Sequence, residues 1–190
     1  MNIMKKRKGE KMEVFYKAIS YLPDKIKNAL MNFNQKNDVC EIRLRSDLPV
    51  SVTTFQKNFF INFQGQITSE KEAVRCNEKE MMFTVNRLCE GSIYRHINTI
   101  KEGYIITPCG LRVGICGEAT YDCKQNLTDV IDIITSLNIR IPRKIDNASD
   151  GLIKFYKRNG LYPTLIFSSP GVGKTTLLRD LAIKISSFHQ

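Results

Sequence analysis

Residue patterns for metal binding and disulfide bonding are scarce in this 190-residue chain. It has only two histidines, His96 and His189, and none of its cysteines form a C-x-x-C pair. Zinc sites and disulfide frameworks need such pairs or clusters, so we expect neither, and we predict reduced thiols. The six cysteines are Cys40, Cys76, Cys89, Cys109, Cys116 and Cys123.

Long apolar runs are missing as well. No stretch approaches the roughly 18 to 20 apolar residues of a membrane-spanning helix, and the N-terminus lacks the apolar core of a secretory signal. The hydrophobic content of 42% nevertheless suits a globular chain with one full domain and part of a second. Together these features predict a cytoplasmic protein.

Positive charge is in excess, with a formal net charge of +10. The densest basic run is Lys5-Lys6-Arg7-Lys8 with Lys11, at a terminus where a solvated tail is the common outcome. Anionic lipid, nucleic acid and another subunit all remain open as acidic partners on charge alone. The basic residues do not alternate with aromatic ones, as in proteins that bind single strands, so no nucleic acid is expected.

Residues 1–147 have the pattern of an α+β domain. Helices are predicted over Glu13–Tyr21 and Pro23–Phe33, and a third is predicted after the capping sequence Asn77-Glu78-Lys79-Glu80. We expect Ile26, Ala29, Leu30 and Phe33 to form the buried stripe of the second helix, and Met82, Val85 and Cys89 that of the third, with its methionines filling the core.

The strands of this domain are predicted from alternation and turn residues. Cys40, Ile42 and Leu44 would face one side and Glu41, Arg43 and Arg45 the other. Further strands are expected at Val50–Val52, Phe59–Phe63, Tyr104–Thr107, Leu111–Cys116 and Leu137–Ile141, the Tyr104–Thr107 and Leu111–Cys116 pair joined by a turn at Pro108-Cys109-Gly110. The polar stretch Lys144–Gly151 is predicted to be a linker.

The segment 148–190 carries a phosphate-binding loop, or P-loop. An apolar, strand-like run, Tyr162–Phe167, leads into the loop, and a helical pattern follows. Glycines at 171 and 173 let backbone N–H groups approach a polyphosphate, Lys174 would reach the β- and γ-phosphates, and the Thr175 hydroxyl would be a ligand of Mg²⁺. The predicted nucleotide-binding residues are Ser169, Pro170, Gly171, Val172, Gly173, Lys174, Thr175 and Thr176, and the cofactors are ATP and Mg²⁺.

One position departs from the G-x-x-x-x-G-K-[ST] pattern. Ser168 stands where the first glycine belongs, and a position that requires φ > 0 would be strained by serine. The helix after the loop repeats apolar residues every three or four positions, as a helix packed on a sheet does, with Arg179 and Lys184 facing elsewhere. These apolar residues are Leu177, Leu178, Leu181, Ala182 and Ile185.

Four blocks in order resemble the stage III sporulation protein AA family. They are Glu41-Ile42-Arg43-Leu44-Arg45 with Pro49, Gly110–Gly117, Ser136–Pro142 and Pro170–Asp180. The family is similar to secretion-type ATPases, so the resemblance implies fold class α/β: an α+β N-terminal domain (1–147) and the start of a RecA-like P-loop ATPase domain (148–190). It also implies a hexameric homo-oligomer at the cytoplasmic face of a membrane, which energises a channel between mother cell and forespore through channel membrane proteins.

The resemblance leaves the enzymatic assignment open. Hydrolysis needs an acidic Mg²⁺ ligand and a water-orienting carboxylate downstream of the P-loop helix, and no residue here can be assigned to either role, because only 15 residues (190 − 175) follow Thr175. A non-catalytic scaffold that docks on ring partners and a nucleic-acid motor are the alternatives. Since ring ATPases use arginines near the γ-phosphate, Arg112 and Arg140 are candidates for nucleotide or interdomain contacts, against a solvated position on their strands.

Overall fold

The computed structural model describes residues 12–55, 57–122, 127–142, 147–170 and 172–187, without the side chains of residues 119, 121–130 and 132. The chain divides into two compact units, Met1–Arg143 and Lys144–Gln190. None of the described helices is long and apolar enough to cross a bilayer. The first unit combines helices with an antiparallel sheet, so the predicted α+β architecture is confirmed.

The helices of the first unit follow the sequence pattern closely. Helix α1 covers residues 12–20 and α2 covers Asp24–Asn32, with Pro23 at its N-cap position. The predicted stripe of Ile26, Ala29, Leu30 and Phe33 is buried. Two more helices follow, α3 (Glu78–Leu88) and α4 (Ile97–Lys101), and short 3₁₀ turns lie at Lys36–Asp38 and Ile93–His96.

The sheet of the first unit has the strand order β5-β4-β3-β1-β9-β8-β7, and every neighbouring pair is antiparallel. Strands β2 and β6 form a separate two-stranded pair. The strands are β1 (Val39–Arg45), β2 (Leu48–Pro49), β3 (Ser51–Thr54), β4 (Asn58–Ile61), β5 (Ile67–Thr68), β6 (Arg75–Cys76), β7 (Tyr104–Ile106), β8 (Arg112–Asp122) and β9 (Leu127–Arg140).

Strand β1 lies in the middle of the sheet and alternates as predicted over most of its length. Ile42 and Leu44 are fully buried, and Arg43 between them is exposed. The prediction is wrong for Cys40, which is only partly buried, while Val39 belongs to the core. A register shift between Val39 and Glu41 against β3 explains the difference, because a β-bulge changes which residues face the core.

Helix α3 begins with the predicted capping box. The Asn77 side chain accepts a hydrogen bond from the Glu80 amide, and the Glu80 carboxylate accepts one from the Asn77 amide, both at 2.9 Å. Val85 and Cys89 are buried as expected. The expectation that Met82 fills the core is wrong, because Met82 is 43% exposed and its neighbour Met81 occupies the core position.

The β8–β9 hairpin extends further than the sequence pattern predicts. Strand β9 begins at Leu127 rather than near Leu137, because β8 and β9 pair along almost their whole length, with three register shifts. β1 pairs with β9 only as far as Ser136, and β7 pairs with β8 only as far as Gly114. The outer part of the hairpin is therefore a two-stranded ribbon.

The cysteines are consistent with reduced thiols. Cys40, Cys76, Cys89, Cys109 and Cys116 are free, and Cys123 lies outside the described residues. Burial raises the pKa of Cys76 to about 12 and that of Cys89 to about 11, so both thiols stay protonated at neutral pH.

The second unit consists of two helices and an extended segment between them. Helix α5 covers Asp150–Asn159, so the prediction of a linker up to Gly151 is wrong at its end. The predicted strand Tyr162–Phe167 is also wrong, because these residues have no regular secondary structure and Leu165 and Phe167 are 85% and 84% exposed. A strand requires a neighbour for its backbone hydrogen bonds, and the described part of the second unit contains no other strand.

Candidate nucleotide-binding loop

The loop ends at helix α6, which covers Lys174–Ser186. Gly173 is the N-cap residue, with φ of 105° in the left-handed region. A Cβ atom placed on Gly173 would meet no atom within 4 Å, so glycine is required here for its backbone conformation rather than for space.

The first turn of α6 presents unpaired backbone amides. The Leu177 amide donates to the Gly173 carbonyl at 2.9 Å, so the preceding amides of Lys174, Thr175 and Thr176 have no acceptor one helical turn back. No side chain caps this end and no acidic residue lies in the first turn. The positive end of the helix dipole therefore points into the loop beside a lysine, an arrangement that a bound anion would stabilise.

The ammonium of Lys174 lies against the start of the loop. Its Nζ atom donates to the Ser168 carbonyl at 2.7 Å, to the Ser169 carbonyl at 2.9 Å and to the Ser168 hydroxyl at 3.1 Å. The loop thus turns back on itself, and the lysine charge is held within the turn that precedes the helix. Ser168 does not adopt a positive φ, so the strain expected at this position does not occur.

The other predicted site residues surround this turn. Val172 and Thr175 are exposed, Thr176 is partly buried, and Ser169 and Pro170 lie on the exposed side of the loop. Gly171 lies outside the described residues. The Thr175 hydroxyl, one position after the lysine, is on the first turn of α6 and accessible to solvent.

The packing of α6 differs from the prediction of a fully buried stripe. Leu181 is buried against Ile153 and Tyr156 of α5, but Leu178 is 51% exposed and Ala182 is exposed too. Within the described residues of this unit, α6 packs against a single helix, and one helix covers only part of an apolar face.

A buried polar cluster joins the two helices, and sequence reasoning missed it. The Asp180 carboxylate of α6 accepts hydrogen bonds from the Ser149 hydroxyl at 2.6 Å and the Ser149 amide at 2.9 Å. Lys184 donates to Asp180 at 2.9 Å and also to Asp150. Lys184 therefore does not simply face away from the fold, as predicted; it pairs with both acidic residues.

The electrostatics of this cluster follow from these bonds. Hydrogen bonds from Ser149, and then from Lys184, hold the pKa of Asp180 well below its usual range. The bond to Asp150, and then the bond to Asp180, raises the pKa of Lys184. The i, i+4 spacing of Asp180 and Lys184, and Ser149-Asp150 just before an apolar periodic run, were the signals available in the sequence.

The two arginine candidates belong to the first unit. Arg112 lies over the ring of Tyr104, with its guanidinium carbon 4.3 Å from the ring centroid. Arg140 pairs across strands with Glu41 in the β1–β9 ladder and is exposed. Both are exposed strand residues, and their contact with a nucleotide stays a prediction.

Comparisons with known proteins agree with the sequence motifs. The family model of "Sporulation stage III, protein AA" matches residues 10–190. Stage III sporulation protein AA of Bacillus subtilis (strain 168) is 31% identical over 163 residues, which are 85% of this chain and 49% of that protein. The chain thus spans about half the length of this curated relative.

Two solved structures are more distant. The VirB11 ATPase from the Brucella suis type IV secretion system, in complex with sulphate, is 12% identical with a TM-score of 0.37, and the match covers 83% of this chain and 43% of that one. The Legionella pneumophila ATPase DotB is 16% identical with a TM-score of 0.40, covering 77% and 38%. Scores this low carry no argument about function. The family match over nearly the whole chain does, and the chain belongs to the stage III sporulation protein AA family.

Proposed function

We propose that this chain binds ATP with Mg²⁺ through the loop that precedes α6. The observation that carries the proposal is the convergence of the Lys174 ammonium, the left-handed Gly173 and the unpaired amides of Lys174, Thr175 and Thr176 on one short turn. Backbone amides and a lysine so arranged bind the phosphates of a nucleotide, whose charge the helix dipole also favours.

The loop residues divide the work of binding by their chemistry. The amides before Leu177 would donate to phosphate oxygens, and Lys174 would move from the Ser168 and Ser169 carbonyls to the β- and γ-phosphates. The Thr175 hydroxyl suits Mg²⁺, which takes few protein ligands and completes its shell with phosphate oxygens and water. Mg²⁺ neutralises phosphate charge when it is bound.

The activity of the whole protein is a wider proposal. We propose that the complete protein hydrolyses ATP as a homo-oligomeric, hexameric ring, and that this energises a sporulation channel through membrane proteins at the cytoplasmic face of a membrane. Family membership supports this proposal. No described residue takes the role of the acidic Mg²⁺ ligand or of the carboxylate that orients water, so this chain is assigned binding alone.

A scaffold function without nucleotide is the competing proposal. It is favoured by the composition of the two units: the first has an extensive buried core, whereas the second leaves Leu165, Phe167 and Leu178 exposed. In that case the first unit would dock on ring partners and Lys174 would have no role in binding.

Binding of a fluorescent ATP analogue in the presence of Mg²⁺ separates the two proposals. Lys174→Ala should weaken binding about 10- to 100-fold, since a charge-assisted hydrogen bond contributes roughly 1.5 to 3 kcal/mol. Lys154→Ala, at an exposed position of α5, removes one positive charge away from the loop and should leave the Kd unchanged. Equal affinity of the Lys174→Ala variant and the parent chain, or no binding by either, would favour the scaffold.

A further inference from the structure

The contact between Ser168 and Lys174 is specific to the residue that replaces the first P-loop glycine. Of the three acceptors around the Lys174 ammonium, two are backbone carbonyls, at Ser168 and Ser169, which any residue would supply. The third is the Ser168 hydroxyl oxygen at 3.1 Å, which a glycine could not provide.

The direction of the hydrogen bonds makes this hydroxyl a good acceptor. The Ser168 hydroxyl donates its one proton to the Ser169 carbonyl at 3.1 Å, which leaves its lone pairs free for Lys174. A donor bond that polarises the hydroxyl strengthens its acceptor bond. An ammonium has three protons, and the three acceptors can use all of them.

A phosphate oxygen that pairs with Lys174 must therefore replace at least one of these bonds. The contact with the Ser168 hydroxyl competes directly with the charge that the loop needs for binding. Strain does not enter, because the Ser168 backbone is outside the left-handed region.

We propose that Ser168 is a positioning residue that holds the Lys174 ammonium against the loop and thereby lowers the affinity for nucleoside triphosphate. The inference rests on the proposed function of the loop. It makes serine at position 168 a determinant of how tightly this chain binds nucleotide, acting through Lys174 rather than through contact with the phosphates.

Titration of the full chain with a fluorescent ATP analogue and Mg²⁺ tests the effect on affinity. Ser168→Ala and Ser168→Gly both remove the hydroxyl and should lower the Kd about two- to fivefold, the scale of an exposed charge-assisted bond. Ser168→Thr retains a hydroxyl and should stay near the parent value. Ser186→Ala, whose hydroxyl bonds to the Ile183 carbonyl far from the loop, controls for loss of a serine in α6.

A double-mutant cycle shows whether the effect passes through the lysine. In the Lys174→Ala background the gain from Ser168→Ala should vanish. A gain that persists there, an unchanged Kd, or weaker binding by Ser168→Ala would overturn the proposal, with far-UV circular dichroism showing that each variant is folded.

A second measurement needs no nucleotide and separates this inference from the proposed function. Exchange of the Lys174 ammonium protons with water, followed by ¹⁵N NMR, should be faster in Ser168→Ala than in the parent chain, because a hydrogen-bonded ammonium exchanges slowly. If nucleotide binds nowhere, the proposed function fails even where this exchange accelerates. Equal exchange rates in the two chains would show that the hydroxyl does not hold the lysine.

Discussion

The turn at Gly65 offers a test of the packing of the first unit, and its cost can be worked from the structure. Gly65 has φ of 78° and lies against the end of α2. A Cβ atom there would lie 2.5 Å from the Ala29 carbonyl oxygen, 2.7 Å from the Asn32 carbonyl carbon and 2.8 Å from the Phe33 amide nitrogen. All three are backbone atoms, so no side chain can rotate away.

Two costs add for Gly65→Ala. A left-handed conformation costs an L-residue roughly 1 to 2 kcal/mol, and forcing an extra methyl against packed backbone costs about 1 to 3 kcal/mol more. Gly91→Ala is the matched control, because Gly91 has nearly the same φ, 77°, but an added Cβ would meet nothing within 4 Å. The smaller entropy of unfolded alanine affects both variants alike and cancels in their difference.

Urea unfolding followed by far-UV circular dichroism measures the difference. We expect Gly91→Ala to lose about 1 to 2 kcal/mol of unfolding free energy and Gly65→Ala about 2 to 5 kcal/mol. Equal losses would refute the reasoning, since they would mean that the turn does not pack against α2 as described.

Two further predictions concern ionisable groups. At pH 8, iodoacetamide should modify Cys109 before Cys76 and Cys89, as peptide mass spectrometry would show: desolvation works against the exposed Cys109 thiolate, but bonds from the Thr107 and Tyr21 hydroxyls and the Leu111 amide outweigh it and lower its pKa, while burial raises the other two. Labelling of Cys76 at the same rate would contradict this. Asp180→Asn should reduce the hydrogen-exchange protection of α5 and α6 at pH 7; because the pKa of Asp180 is lower in the folded chain, its stabilisation is full at neutral pH and declines below the unfolded value of about 4, so the parent and the variant should converge on acidification. A gap in protection that is independent of pH would contradict the assigned bonds.

Features that depend on local sequence could be predicted well. The capping box of α3 involves only Asn77 and Glu80, three residues apart, and the stripe of α2 repeats within nine residues, so both were visible without the fold. The same holds for the loop, because the left-handed Gly173 and the lysine after it are neighbours in the chain.

Features set by distant partners could not be predicted. The start of β9 depends on its pairing with β8, and the inward position of Val39 depends on a bulge against β3. The apolar run ending at Phe167 has the composition of a strand, but composition cannot show whether a neighbouring strand is present to pair with it.

The candidate site shows the same division. Its residue types were predictable from the motif, whereas the contact of Lys174 with Ser168 required the turn of the loop. The bonds from Ser149 to Asp180 join residues 31 positions apart, and helix α5 was missed because its first residues, Asp150 and Gly151, are also typical of a linker.

A ¹H–¹⁵N NMR titration with ATP and Mg²⁺ tests the central claim most directly, because it identifies the amides that meet the phosphates. The amides of Gly173, Lys174, Thr175 and Thr176 should shift with ATP and with inorganic triphosphate, but not with adenosine, and Lys174→Ala should abolish the shifts at the same concentrations. Shifts confined to the first unit, or none with either ligand, would contradict the assignment of this loop as the nucleotide site.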